Sequence, residues 1–276
     1  MGQIINIIKE AQKRIFEHKL TVYAAQATLF IIISALPFIM LLISLTKFFI
    51  PFEQSDIVGF MSTMFPVQII PFITNIFEEI FSGNTIPIVS VTTITALWAA
   101  SKGMMSLVQG LGSVYGTDHD RGYIKTRLFS LVYTAFFMVL IIATLLFFVA
   151  GRYLMRITAE ALPLISYIVN LIYTFPIVLY MLILSFVFGV LYKLLPGGRL
   201  SFINQLPGAA LAAAGWIVFT AAYTFYVNRF ANYSYIYGSL TAIVLLMLWL
   251  YFCMNIFLLG AEINCLLKER KEKRIE

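Results

Sequence analysis

The sequence predicts an all-α integral membrane protein with six transmembrane helices. Hydrophobic residues make up 61% of its 276 residues and charged residues only 12%, whereas a soluble domain carries roughly 25% charged residues. Six apolar stretches are long enough for a helix that crosses the bilayer, which needs about 20 residues. They are too long for barrel strands and lack a two-residue alternation. This composition excludes a cytosolic enzyme or a free nucleic-acid-binding module as the default.

The six predicted spans follow one another without an internal sequence repeat, so residues 1–276 are predicted to form a single polytopic domain. Residues 1–20 carry six charged side chains and no long apolar core, so no cleavable signal peptide is expected. In chain order the spans are Ala27–Ile50, Ile86–Met105, Leu128–Ala150, Ser166–Leu191, Leu206–Tyr226 and Gly238–Ile263.

Basic residues collect on one side of this arrangement. Fourteen Lys and Arg fall in the segments that share a side with the termini and three on the opposite side, with Lys47 and Lys102 near span ends. The positive-inside rule therefore predicts that both termini are cytoplasmic. Residues 264–276 are predicted to be a basic cytoplasmic tail that faces anionic lipid.

Two further segments have amphipathic patterns. Residues 1–26 are predicted to form a cytoplasmic interfacial helix, whose apolar stripe includes Ile4, Ile8 and Ile15 and whose basic residues face anionic lipid. Residues 51–85, unusually apolar for an external segment, are predicted to form an outer amphipathic helical hairpin. This hairpin dips into the outer interface or caps a cavity, or else it merely packs on the spans.

Residue patterns for catalysis are lacking. There is no nucleotide-binding glycine loop, HExxH motif or nucleophile elbow. The sequence has two histidines, His18 and His119, and Asp118-His119-Asp120 is better explained as a solvated turn than as a metal site. No enzymatic activity, cofactor or metal is therefore predicted.

Ionisable and polar groups near the membrane are better candidates, because charge there is costly and usually paired or functional. Lys102 and Glu262 are predicted at a similar depth near the inner ends of spans two and six, where they could contact each other. The alternative is a snorkelling lysine and a carboxylate at the water boundary. Asn255, Gln26 and Gln109 would add hydrogen-bonding groups along the same inner path.

On the outer side, Arg152 and Arg156 lie one helical turn apart. They could bind a lipid phosphate, since a guanidinium matches phosphate geometry, but a pair between Arg156 and Glu160 is the simpler interpretation.

Gly208, Ala212 and Gly215 form a small-residue face on span five that lets another helix approach closely. This face could build the bundle or a dimer, so the oligomeric state stays open.

Seven short segments together carry a family resemblance. They are Ser34–Pro37, Leu97–Gly103, Leu191–Pro196, Leu206–Ala210, Ile236–Leu240, Leu248–Tyr251 and Leu259–Asn264. In this order and spacing the chain resembles the YihY/BrkB family of bacterial inner-membrane proteins. The Gly112 position is a departure, since relatives tend to have Asn there.

The resemblance implies a six-span protein of the bacterial cytoplasmic membrane. Some members carry a ribonuclease BN label, but this sequence offers no metal or acid–base cluster for RNA hydrolysis, so ribonuclease activity and a nucleic-acid partner are not expected. The family has also been linked to transport of lipids or other amphiphiles.

The functional hypothesis is a transporter or flippase-like protein for an anionic lipid or other amphiphile, with anionic membrane lipids as its partners. The alternative is a non-transporting membrane scaffold that recruits envelope-assembly proteins through the outer hairpin and the basic tail.

Overall fold

The computed structural model describes residues 13–49, 70–71, 74, 86–117, 122–158, 176–198, 200–229 and 240–272. Within these ranges the chain is helical, without strands, and each predicted span overlaps one long helix. The helices are α1 (Leu20–Phe49), α2 (Ile86–Tyr115), α3 (Tyr123–Thr158), α4 (Pro176–Leu194), α5 (Phe202–Arg229) and α6 (Leu240–Glu272).

Four of these helices, α3 to α6, are long and apolar enough to cross a membrane, and the described part of α1 holds a shorter apolar stretch, Leu20–Ala35. Large apolar side chains lie on the outside of the helices, including Val132, Leu182 and Val218. A soluble surface seldom presents such extended apolar patches. The all-helical membrane architecture agrees with the prediction.

Helix α6 lies between two helix pairs. The α1–α2 pair and the α4–α5 pair each pack along their length, and α6 contacts α1, α2 and α5. Aromatic side chains fill the space between α4 and α6, where the ring centroid of Phe257 lies 4.9 Å from that of Tyr192 and 5.1 Å from that of Phe188. The core is therefore centred on α6.

The chain turns sharply just before α1. Residues 13–17 are helical, and Lys19 has a φ of 51°, in the left-handed region that ends a helix. The Lys19 carbonyl then accepts hydrogen bonds from the amides of Val22 and Tyr23, which start α1. The predicted interfacial segment extended to residue 26, but α1 begins at Leu20, because Leu20 and Ala24 are buried in the bundle.

Two predicted features fall outside the described residues. The outer hairpin at residues 51–85, with Glu78 and Glu79, is described only at 70, 71 and 74, and the Asp118–Asp120 turn is not described.

Candidate functional site

Glu262 on α6 is a carboxylate with 1% exposure. Its Oε2 lies 2.8 Å from Nδ1 of His18, and its Oε1 accepts a hydrogen bond from Nη1 of Arg14 at 3.4 Å. Both partners belong to the N-terminal segment, residues 13–19. A buried carboxylate is unfavourable unless it is paired and hydrogen-bonded, and the N-terminal segment supplies that pairing.

Arg14 also binds a second carboxylate of α6. Its Nη1 and Nη2 donate to the two carboxylate oxygens of Glu269, at 2.9 and 2.5 Å, in the bidentate geometry that suits a guanidinium. Glu262 and Glu269 are seven residues apart, about two helical turns, so they share one side of α6. Hydrogen bonding to Glu269 raises the pKa of Arg14 despite desolvation, so Arg14 stays charged. These residues, Arg14, His18, Glu262 and Glu269, form the N-terminal ion-pair cluster.

An amide network lies next to this cluster on α6. The side chain of Asn264 donates from Nδ2 to the Gln205 carbonyl at 2.9 Å and accepts from the Gly208 amide at 2.7 Å. These two backbone groups flank Pro207, which lacks an amide hydrogen and weakens the helical bonding of α5 there. The Tyr115 hydroxyl, at the end of α2, donates to Oε1 of Gln205 at 2.5 Å. The network joins α2, α5 and α6 at one end of the bundle.

The small-residue face of α5 meets α6 within this chain. A Cβ added at Gly208 would clash with the Gly260 carbonyl oxygen, and one added at Gly260 would lie 2.6 Å from Cβ of Ala212. At Gly215 the close neighbour is Ile256. The Tyr192 hydroxyl also donates to the Phe257 carbonyl at 2.5 Å. The α5–α6 crossing is thus a direct backbone-to-backbone contact.

A second charged group lies on the outside of α2. Nζ of Lys102 is 4.1 Å from the ring centroid of Trp98 and 5.0 Å from that of Phe30. Arg127, near the start of α3, places its guanidinium carbon 5.9 Å from the same Trp98 ring and donates from Nη2 to the Trp98 carbonyl at 3.4 Å. Lys102 and Arg127, the two cations beside the Trp98 ring, are called the Trp98 cation pair.

The structure does not bring Lys102 and Glu262 together. Lys102 lies at the level of Phe30 on α1, whereas Glu262 lies at the level of His18, before α1 begins. Helix α2 continues from Lys102 to Tyr115, which is about 20 Å of helix at 1.5 Å per residue. The two groups therefore differ in depth, and of the two alternatives the direct contact is not formed; Lys102 and Glu262 belong to two separate charged sites.

In the described part of the chain, the other residues of the predicted inner path form no hydrogen bond with Glu262, whose partners are Arg14 and His18. The side-chain amide of Asn255 donates to the Tyr251 carbonyl of its own helix at 2.8 Å. Gln26 is exposed on α1, and Gln109 is half-buried on α2.

Arg152 and Arg156 lie on α3, which continues to Thr158, beyond the predicted end of the third span at Ala150. Their side chains, and Glu160, fall outside the described residues. The choice between a phosphate site and the Arg156–Glu160 pair stays a prediction.

Sequence reasoning missed Arg14, His18 and Glu269 as site residues. A usable signal was present, because Glu269 follows Glu262 by two helical turns on the same helix, and His18 is one of two histidines. Within the described ranges, no group of three or more His, Cys, Asp or Glu side chains is placed to hold a metal ion.

Comparison with known proteins gives one family and several relatives. The family model described as Virulence factor BrkB matches residues 11–276. A protein of Bacillus subtilis (strain 168) named ribonuclease-like protein YfkH is 31% identical over 268 residues, 97% of each chain. A UPF0761 membrane protein of Alteromonas mediterranea is 25% identical over 271 residues, 95% of this chain and 87% of that protein. One of Vibrio campbellii is 37% identical over 91 residues, 33% of this chain and 29% of that protein. No solved structure matches the chain.

Proposed function

This chain belongs to the Virulence factor BrkB family, which confirms the resemblance drawn from its sequence, and from that premise we propose that it is a transporter or flippase-like protein for an anionic lipid or other anionic amphiphile. The observation that supports the proposal is the N-terminal ion-pair cluster. It places two cationic or protonatable side chains, Arg14 and His18, against a buried carboxylate at one end of a membrane helix bundle. Such groups in membrane proteins commonly mark substrate or ion pathways.

In the proposed mechanism an anionic headgroup competes with carboxylates for the same partners. When no substrate is bound, Glu262 and Glu269 neutralise Arg14, and Glu262 also pairs with the His18 ring. A phosphate-bearing headgroup offers the oxygen atoms that a guanidinium binds in a bidentate way. When the headgroup arrives, Arg14 releases a carboxylate and binds the headgroup instead, and the N-terminal segment moves away from α6. Glu262 then displaces the headgroup and restores the closed arrangement.

The transport proposal is tested with protein reconstituted in vesicles that contain phosphatidylglycerol with a fluorescent label on one acyl chain. Membrane-impermeant dithionite quenches the outer-leaflet label, so the slow phase reports lipid movement. We expect wild-type protein to accelerate that phase over protein-free vesicles. Glu262→Gln, which keeps the shape but removes the charge that expels the anion, is expected to slow it by about tenfold, equivalent to about 1.4 kcal/mol of barrier.

Glu272→Gln is the matched control, because Glu272 lies on the same helix but is exposed, at 3.8 Å from Lys268. It is expected to behave as wild type. Wild-type vesicles that scramble no faster than protein-free vesicles would overturn the transport proposal, and equal rates in Glu262→Gln and wild type would remove the cluster from the mechanism.

We also propose the full topology of six spans with both termini in the bacterial cytoplasm. Hydrogen bonds at one end of the bundle support it, because they join the chain segments that this topology places on the same side. These are the N-terminal segment, Tyr115, Pro196, Gln205 and Glu262. In a cysteine-free background, Lys13→Cys and Glu272→Cys are expected to react with an impermeant maleimide only after the membrane is opened. Labelling of either residue in intact cells would contradict this topology.

A scaffold without transport activity is the second candidate, and the packed interior favours it. The rings of Phe188, Tyr192 and Phe257 and the Gly208–Gly260 contact fill the space between α4, α5 and α6. A scaffold predicts that Glu262→Gln is tolerated in cells, while neutralisation of the exposed tail residues Lys268, Arg270 and Lys271 abolishes function at normal abundance. The reverse pattern favours transport.

We further propose that the protein is not an enzyme and has no nucleic-acid substrate. The word ribonuclease-like belongs to the name of YfkH. Metal-dependent RNA cleavage by the purified protein, lost on chelation, would contradict the proposal.

A further inference from the structure

The Trp98 cation pair places two positive charges beside one aromatic ring. Lys102 and Arg127 come from different helices, α2 and α3, and both lie close to Trp98. Like charges repel, and the repulsion is stronger near low-dielectric surroundings than in water. Among the described residues, no carboxylate forms an ion pair with Lys102 or Arg127. The ring attracts each cation but does not neutralise their charge.

One nitrogen of this pair is left without an acceptor. Nη1 of Arg127 is buried and has no hydrogen-bond partner among the described residues, although Nη2 donates to the Trp98 carbonyl. A buried donor without a partner is unfavourable, and more so when it is charged. Because Nη1 is buried, an oxyanion reaches it only when the guanidinium turns outward. Bound between Arg127 and Lys102, the anion would then accept from Nη1 and offset both charges.

The surroundings of the pair are apolar and face outward. Trp98 is 54% exposed, and Ile94, one turn away on α2, is 69% exposed. Leu128 and Val132 on α3 are exposed to a similar degree. In a membrane protein such a surface contacts acyl chains, and Trp is typical of the boundary between chains and headgroups. The site therefore joins a region for an anion to a region for hydrocarbon.

We propose that Lys102 and Arg127 bind the phosphate of an anionic phospholipid in the cytoplasm-facing leaflet, with its acyl chain along Trp98 and Ile94. The apolar surface selects a lipid over a free phosphate ion, and the two charges select an anionic headgroup over a zwitterionic one. The inference goes beyond the proposed function, because the lipid need not move across the membrane to be bound here. Failure of the scrambling assay leaves it intact.

Trp98 itself provides the readout. Of the three tryptophans, Trp98 is 54% exposed, Trp249 is buried with 4% exposure and Trp216 is half-buried, so lipids with brominated chains quench Trp98 most strongly. The full-length protein is placed in phosphatidylcholine vesicles with a small fraction of brominated phosphatidylglycerol or of brominated phosphatidylcholine. We expect phosphatidylglycerol to quench at a lower mole fraction, by about fivefold for each cation, and Trp98→Phe to remove the difference.

Substitutions then assign the preference to the two cations. Lys102→Gln with Arg127→Gln is expected to make the two brominated lipids equivalent, while Lys102→Arg, which keeps the charge, retains the preference. The matched control is Lys125→Gln, since Lys125 lies half a turn from Arg127 on α3 and is exposed. Quenching is compared only among variants whose thermal unfolding midpoint in these vesicles equals that of wild type.

Three results would overturn the proposal. One is equal quenching by both lipids in wild type, and another is a preference that persists in the Lys102→Gln and Arg127→Gln double variant. The third is loss of the preference when soluble glycerol phosphate is added at low concentration, which would show a site for free phosphate rather than for a lipid.

Discussion

Gly260→Ala is expected to destabilise the protein, although alanine is the better helix former by about 1 kcal/mol in an exposed helix. The added Cβ would lie 2.5 Å from the Tyr192 hydroxyl oxygen, 2.6 Å from Cβ of Ala212 and 2.7 Å from the Gly208 carbonyl oxygen. Two of these neighbours belong to the backbone or to a short side chain and cannot rotate away. Overpacking of this kind costs about 1–3 kcal/mol, so the net change should lower the midpoint of thermal unfolding in detergent by several degrees.

Two further substitutions give a second test of this contact and a control. Gly208→Ala should act in the same direction, because its Cβ would meet the Gly260 carbonyl oxygen and the Asn264 side chain. Gly122→Ala is the control, since no heavy atom lies within 4 Å of an added Cβ there, and it should leave the midpoint nearly unchanged. A higher midpoint for Gly260→Ala would mean that helix propensity outweighs the contact and that α5 and α6 are less closely packed.

Removal of the Glu262 carboxylate is expected to release the N-terminal segment from α6. Glu262→Ala deletes the partner of both Arg14 and His18, and breaking a buried ion pair costs about 3–5 kcal/mol. Glu269 still holds Arg14 at 2.5 Å, so part of the attachment persists. Hydrogen exchange of the amides of His18, Val22 and Tyr23 should accelerate by about tenfold or more, where each tenfold step in opening corresponds to about 1.4 kcal/mol.

The contribution of each carboxylate can be separated in the same experiment. Glu262→Ala with Glu269→Ala should accelerate exchange beyond either single change, whereas Glu272→Ala, on an exposed turn of α6, should have no effect. Unchanged exchange in the double variant would show that apolar contacts, such as those of the buried Leu20, hold the segment without the ion pairs.

Hydropathy was sufficient to predict the long helices because backbone groups in lipid must be hydrogen-bonded internally. The predicted span Leu206–Tyr226 lies within α5, and the predicted span Gly238–Ile263 overlaps α6. Ends were harder to place. The predicted second span ended at Met105, yet α2 continues to Tyr115. The prediction ended early because Gln109, Gly110 and Ser113 lower the hydropathy of a segment that is still packed inside the bundle.

The candidate site was only partly predictable. Glu262 and Lys102 stood out as ionisable residues in apolar stretches, but their partners depend on depth and on contacts between distant parts of the chain. Arg14 and Glu262 are separated by 248 residues, and helical periodicity carries no information over that distance. The error in the depth of Lys102 follows from the unrecognised extension of α2.

The same separation sets an order of events during biosynthesis. Arg14 is synthesised first, and Glu262 and Glu269 follow 248 and 255 residues later. At a synthesis rate of about 5–20 residues per second, Arg14 waits roughly 12–50 s for these carboxylates. Until then the ion pairs between the N-terminal segment and α6 cannot form, and only chains translated through α6 can make them. A chain that is truncated before Glu262 therefore lacks these pairs, which distinguishes it from a chain that contains α6.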